Sequence, residues 1–196
     1  EFIDRQMIKY IIPDDAMSQL GIYGAICKIA VVMTLFTQMY RLAAEPFFLS
    51  NFTKEEFVES NAAALKYYMM ASMMIFLGIA LFRDVFALIV GRDFREGIFI
   101  LPVILGGNIL AGVWLNLSFW YKLKDETYWG AIFSFIGCAL LFAVNIIFVP
   151  RYGYIACAWA SFTGYFVAML LSYIIGQKRD ATDYDLKTIL KCTLLF

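Results

Sequence analysis

Between Gly21 and Ser50 an apolar run carries polar side chains at helical spacing. At about 100° per residue, Tyr23, Thr34, Gln38, Arg41 and Glu45 fall within roughly 60° of one another, with Ile22, Ile26, Met33, Phe36, Tyr40 and Phe47 opposite. Lys28 lies about 80° or more from that stripe, deep enough in the run to need water or a partner. Arginine and lysine offer only donors, so these cations suit an anion such as a phosphate, and Lys28 is the strongest single candidate to meet one. The i, i+4 spacing of Arg41 and Glu45 leaves three readings open. They form a packing ion pair, they meet an anionic substrate or coupling ion, or they snorkel to the membrane surface.

The remaining chemistry is narrow. The chain has no histidine, which removes imidazole bases and the commonest metal ligand. Its four cysteines, Cys27, Cys138, Cys157 and Cys192, stand singly in apolar runs without a C-x-x-C pair, the pattern of packing residues. Asp14-Asp15 and Glu55-Glu56 are adjacent, would point apart on a helix, and read as solvated faces. No nucleophile elbow, phosphate loop, dinucleotide fingerprint or zinc signature occurs. The expectation is a protein that is not an enzyme, with no catalytic residue, no metal and no cofactor. Asn108, Asn116 and Asn145 either bridge helices, the favoured reading, or contact substrate.

Helices must position these groups, and composition says in which solvent. The chain is 62% hydrophobic and 16% charged, against about 45–50% apolar for ordinary globular domains. Its mean hydropathy is +0.73. In a bilayer a polar helix stripe has to face other helices or water, so the Tyr23–Glu45 stripe is expected to line a hydrophilic cavity. Lysine plus arginine equals aspartate plus glutamate at 16 each, so no basic surface points to nucleic acid.

The predicted fold is all-α, a polytopic transmembrane helix bundle. Spans are expected at about 20–48, 62–82, 97–121, 128–149 and 154–176, with another starting at 186. Residues 1–20 read as an interfacial connection and Lys54–Ser60 as a short surface helix opened by a Thr53-x-x-Glu56 capping box. Asp84–Glu96 reads as a helix end or re-entrant piece, and Pro150–Gly153 as a tight turn. Ala156, Ala160 and Gly164 form a small-xxx-small seam. The chain opens without methionine and closes inside an apolar run, and is read as part of a longer protein. Lysine and arginine weakly favour the side holding Lys54, Lys122, Lys124, Lys178 and Arg179 as cytoplasmic.

Several stretches taken together resemble a family. These are Asp4-Arg5, Leu20-Gly21-Ile22-Tyr23-Gly24-Ala25 with Lys28, and Arg41 followed by Glu45-Pro46-Phe47-Phe48. Further along come Asn116-Leu117-Ser118-Phe119-Trp120-Tyr121-Lys122, Asn145 with Pro150-Arg151-Tyr152-Gly153-Tyr154, and Gly176-Gln177-Lys178. In this order they resemble the C-terminal half of bacterial polysaccharide-export flippases of the O-antigen type. Those belong to the multidrug, oligosaccharidyl-lipid and polysaccharide exporter superfamily. The resemblance implies one lobe of a two-lobed, MATE-like transporter in the bacterial cytoplasmic membrane, completed by an N-terminal lobe and surrounded by membrane lipids. It implies as substrate a polyprenyl-pyrophosphate-linked oligosaccharide, with Lys28, Arg41, Glu45, Gln38, Tyr23, Asn108, Asn116 and Asn145 as cavity candidates. The alternatives are a cation-coupled drug exporter of the same superfamily and a membrane-embedded glycan-processing enzyme.

Overall fold

The computed structural model describes residues 2–12, 15–49, 54–89 and 91–179. Among the described residues eight α-helices follow in order: α1 Phe2–Ile11, α2 Ala16–Phe48, α3 Lys54–Leu81, α4 Arg83–Ile89, α5 Leu101–Leu117, α6 Phe119–Leu123, α7 Tyr128–Tyr152 and α8 Tyr154–Arg179. A 3-10 helix, Arg92–Ile100, precedes α5. Among the described residues there is no strand. Among the described residues five segments are long and apolar enough to cross a membrane: Ala16–Phe48, Glu56–Leu81, Phe94–Leu123, Tyr128–Tyr152 and Tyr154–Arg179. The chain is thus an all-α polytopic bundle. At 1.5 Å per residue the 33 residues of α2 reach about 50 Å, beyond a hydrocarbon core of about 30 Å.

Packing follows the small residues. The α7 and α8 helices make the most extensive contact in the bundle, followed by α5 and α8. Gly137 and Gly164 meet at the α7–α8 crossing, where a Cβ on Gly164 would stand 3.1 Å from the Gly137 carbonyl oxygen. Ala156 and Ala160, the other members of the seam, are buried. With no hydrophobic drive between helices in lipid, such close backbone approach is what association rests on. The main core joins Ile8 of α1, Ile26 and Met33 of α2, Leu65 of α3, Leu105 and Ile109 of α5 and Cys157 of α8.

Several local expectations are revised. Residues 2–11 are not a surface connection: α1 packs on α2, α7 and α8, with Asp4 and Ile8, one turn apart, both fully buried. Lys54–Ser60 is continuous with α3 rather than a separate surface helix. The 84–96 stretch forms α4 and the 3-10 helix, tied together where Arg95 Nε donates to the Ala87 carbonyl at 2.8 Å. Helix α7 runs through Pro150 to Tyr152. The turn is confined to Gly153, whose φ of 56° favours glycine and where Gln19 Oε1 accepts the Tyr154 N–H at 3.2 Å. Thr53 of the expected capping box and the span expected from 186 lie outside the described residues.

Candidate functional site

The local event that builds the site is a break in a long apolar helix. At Ser118 the backbone N–H bonds the Leu115 carbonyl at 3.0 Å and the hydroxyl donates to the same oxygen at 2.6 Å. That i to i−3 closure marks the boundary between α5 and α6, and the Lys122 N–H reaches back across it to the Ser118 carbonyl at 3.3 Å. Phe119, Trp120 and Tyr121 are buried and anchor α6. Lys122 therefore emerges toward α2, where its Nζ donates to Glu45 Oε1 at 2.5 Å. On the same carboxylate Arg41 Nε donates to Oε2 at 3.4 Å.

Beside this triad lies an open cleft of about 440 Å³ between α2, α5, α6, α7 and α8. Arg41, Gln38 and Thr37 enter it from α2, Trp114 from α5, Lys122 from α6, Ser134 from α7 and Tyr165 from α8. Glu45 is not among its lining residues. The carboxylate is shared by the two cations, and the guanidinium, of which only Nε is bonded among the described residues, keeps its fork of Nη donors free. Two cations, a primary amide, hydroxyls and aromatic rings around an open cleft can hold an anionic, hydrogen-bonding head. Among the described residues no cluster of three or more His, Cys, Asp or Glu forms that could hold a metal ion.

The asparagines of α5 serve packing. Asn108 Nδ2 donates to Thr34 Oγ1 at 3.1 Å and Asn116 Nδ2 to Tyr40 Oη at 2.5 Å. Between them Gly112 makes room for the Tyr68 hydroxyl, which bonds Thr37 Oγ1 at 3.0 Å. Positions 108, 112 and 116 thus form one ladder against α2 and α3. The Tyr23–Glu45 stripe is thereby divided among three surroundings. Thr34 belongs to this ladder, Gln38 and Arg41 to the cleft, and Tyr23 to a separate buried cluster. Lys28 is exposed on α2 and is not part of the cleft.

That cluster centres on Asp4, which is fully buried. Ser161 Oγ donates to Asp4 Oδ2 at 2.7 Å and Tyr23 Oη to the same oxygen at 3.2 Å. Asn145 Nδ2 donates to Oδ1 at 3.2 Å, and Cys157 Sγ approaches the Asp4 backbone carbonyl at 3.8 Å. Asn145 Oδ1 is buried without a hydrogen-bond partner among the described residues. So Asn145 and Tyr23 meet each other's ligand rather than the cleft.

Two residues of consequence escaped the sequence reading, Asp4 and Lys122. Asp4 had a signal in the i, i+4 pair with Ile8 on one face of a short helix, with Arg5 and Lys9 about 100° round from it. Lys122 is legible in the sequence only as a charge at the end of the Asn116–Lys122 stretch, because its pairing with Glu45 depends on how α2 and α6 pack. No protein-family model matches the chain, and no match was found among curated proteins or solved structures.

Proposed function

We propose that this chain is one lobe of a transporter that moves a lipid-linked oligosaccharide with a polyprenyl pyrophosphate anchor across the bacterial cytoplasmic membrane. The observation that carries the reading is the cleft presenting Arg41 and Lys122 between helices otherwise apolar enough to span a bilayer. Cations inside a spanning bundle are costly unless water or an anion meets them. A hydrophilic head crossing beside them, with its lipid chain left in the bilayer, supplies that partner. The resemblance of the ordered stretches from Asp4-Arg5 to Gly176-Gln177-Lys178 supports the same substrate class. In this reading Lys122 and Arg41, rather than Lys28, meet the pyrophosphate, and the partner lobe closes the open side of the cleft.

The test is surface polysaccharide in a strain lacking the gene, complemented with the full-length gene carrying Arg41→Ala, Lys122→Ala or both. The double variant should lose display at unchanged membrane protein level, while Lys28→Ala keeps it. Normal display from the double variant would overturn the reading.

The alternative of a cation-coupled drug exporter is favoured by one specific observation, the buried Asp4 carboxylate beside the unpartnered Asn145 Oδ1. Drug efflux that persists in the Arg41→Ala, Lys122→Ala double variant and is lost in Asp4→Asn would select it.

A further inference from the structure

The end of the α7–α8 hairpin farthest from Lys122 holds a recess of its own. This groove of about 330 Å³ is lined by Val144, Phe148 and Tyr152 of α7 and by Ile155, Ala156 and Trp159 of α8, and it shares no lining residue with the cleft. From Ser134 of the cleft to Val144 the helix runs about 15 Å at 1.5 Å per residue. The two recesses are separate places.

The walls of the groove are apolar and its rim is not. Phe148, Tyr152 and Trp159 are 44%, 58% and 49% exposed, so the rings stand open rather than packed. Arg151 comes three residues after Phe148 and seven after Val144, which puts the three side chains on one face of α7. It is exposed, and just beyond it the chain turns at Gly153 between two helices apolar enough to span a bilayer. Its guanidinium therefore stands at headgroup level. Among the described residues the Arg151 guanidinium, the Tyr152 hydroxyl and the Trp159 indole N–H have no hydrogen-bond or ion-pair partner. All three can donate.

A bilayer phospholipid brings an anion and an apolar chain in one molecule, in the order the groove presents them. Val144 lies about 10 Å below Arg151 along α7, within the roughly 15 Å of hydrocarbon in one leaflet. An acyl chain descending from a phosphate at Arg151 thus passes Phe148 and then Val144. The amphipathic rings of Tyr152 and Trp159 favour the same interfacial depth. An arginine without a carboxylate also distinguishes headgroups by net charge. A zwitterionic headgroup sets its own ammonium against its phosphate, whereas phosphatidylglycerol leaves its charge to the protein.

We propose that this groove binds an anionic phospholipid of the surrounding bilayer, with its phosphate on Arg151 and one acyl chain between α7 and α8 beside Phe148, Val144 and Trp159. The inference goes beyond the transport reading and stands whichever substrate the cleft carries.

Trp159 is the reporter, because it lines the groove and bromine quenches an indole only near contact. The full-length protein is reconstituted in phosphatidylethanolamine vesicles with phosphatidylglycerol as a one-fifth minority, the acyl chains being dibrominated on one lipid, the other or both. The Trp159 signal is the unaltered protein minus Trp159→Phe. One basic residue at the membrane surface favours an anionic lipid about fivefold, so brominated phosphatidylglycerol should give about half of the Trp159 quenching that full bromination gives. Arg151→Gln should lower that share to about one fifth, the bulk proportion, while Arg83→Gln, an exposed cation on α4, leaves it at about half. Val144→Phe, which narrows the groove, should reduce quenching by either brominated lipid.

Quenching by phosphatidylglycerol at its bulk proportion in the unaltered protein would make the groove a bare lipid-facing surface and overturn the proposal. Absence of quenching by both lipids would mean that protein covers this face, and would overturn it equally. A preference that survives Arg151→Gln would place the headgroup elsewhere, which also ends the assignment.

Discussion

Asp4 and the Arg41–Glu45–Lys122 triad both put charge inside an apolar bundle, yet they are built in opposite ways. The carboxylate of Asp4 is fully buried and surrounded by neutral donors from three helices, Tyr23, Asn145 and Ser161. The triad is half open, with Arg41 at 51% side-chain exposure and its spare donors facing a cleft. A charge enclosed by matching donors ties helices together, because removing any partner leaves a desolvated group behind. A charge with unused donors beside open space ties little and can bind. What separates the two regions is exposure and spare donors: Asp4 is fully buried among donors, whereas Arg41 is half exposed beside the cleft.

The contrast can be broken by measuring stability in detergent. Asp4→Leu has the largest expected effect. It orphans the donors of Tyr23, Asn145 and Ser161, at about 1–3 kcal/mol each, so a loss on the order of 3 kcal/mol should appear in thermal unfolding. A loss below about 1 kcal/mol, the range of an exposed ion pair, would mean the cluster is not the tie described.

Gly112→Ala comes next. Its new Cβ would collide with the Tyr68 hydroxyl and ring, so Tyr68 must leave Thr37, at a cost of about 1–3 kcal/mol for overpacking. Tyr68→Phe in the same background should recover part of that loss, and no recovery would dissociate the glycine from the ladder.

Asn108→Leu removes one interhelical hydrogen bond, and membrane hydrogen bonds of this kind average about 0.6 kcal/mol. Arg41→Gln and Lys122→Gln fall in the same small range, each below about 1 kcal/mol as partly exposed ion pairs. These two should nevertheless have the largest effect on transport. A stability loss from Lys122→Gln as large as that from Asp4→Leu would erase the contrast between the two regions.

The apolar runs made the helices legible, because a 20-residue stretch without charge has few other solutions. The α7–α8 seam was legible too, since small residues four apart leave a flat strip wherever they fall. Cross-helix partners were not. A helical wheel groups Tyr23 with Arg41, but it says nothing of the register that gives one to Asp4 and the other to the cleft. Lys28 looked deep by its place in sequence, and only the packing of α2 shows that its face is open. Lys122 looked like loop charge because it opens the charged run Lys122–Glu126, and its partner Glu45 lies on another helix.

On this account Gln38 and Arg41 of α2 and Ser134 of α7 face water in the cleft, while the exposed apolar positions Leu35 and Phe135 of the same helices face lipid. The direct measurement is reaction of a charged, membrane-impermeant maleimide in intact membranes. Gln38→Cys and Ser134→Cys in the cleft are compared with Leu35→Cys and Phe135→Cys on exposed apolar faces. Thiolates form in water and not in hydrocarbon, so the two cleft positions should label and the two outer ones should not. Labelling of Leu35→Cys and Phe135→Cys, with Gln38→Cys and Ser134→Cys silent, would contradict the claim.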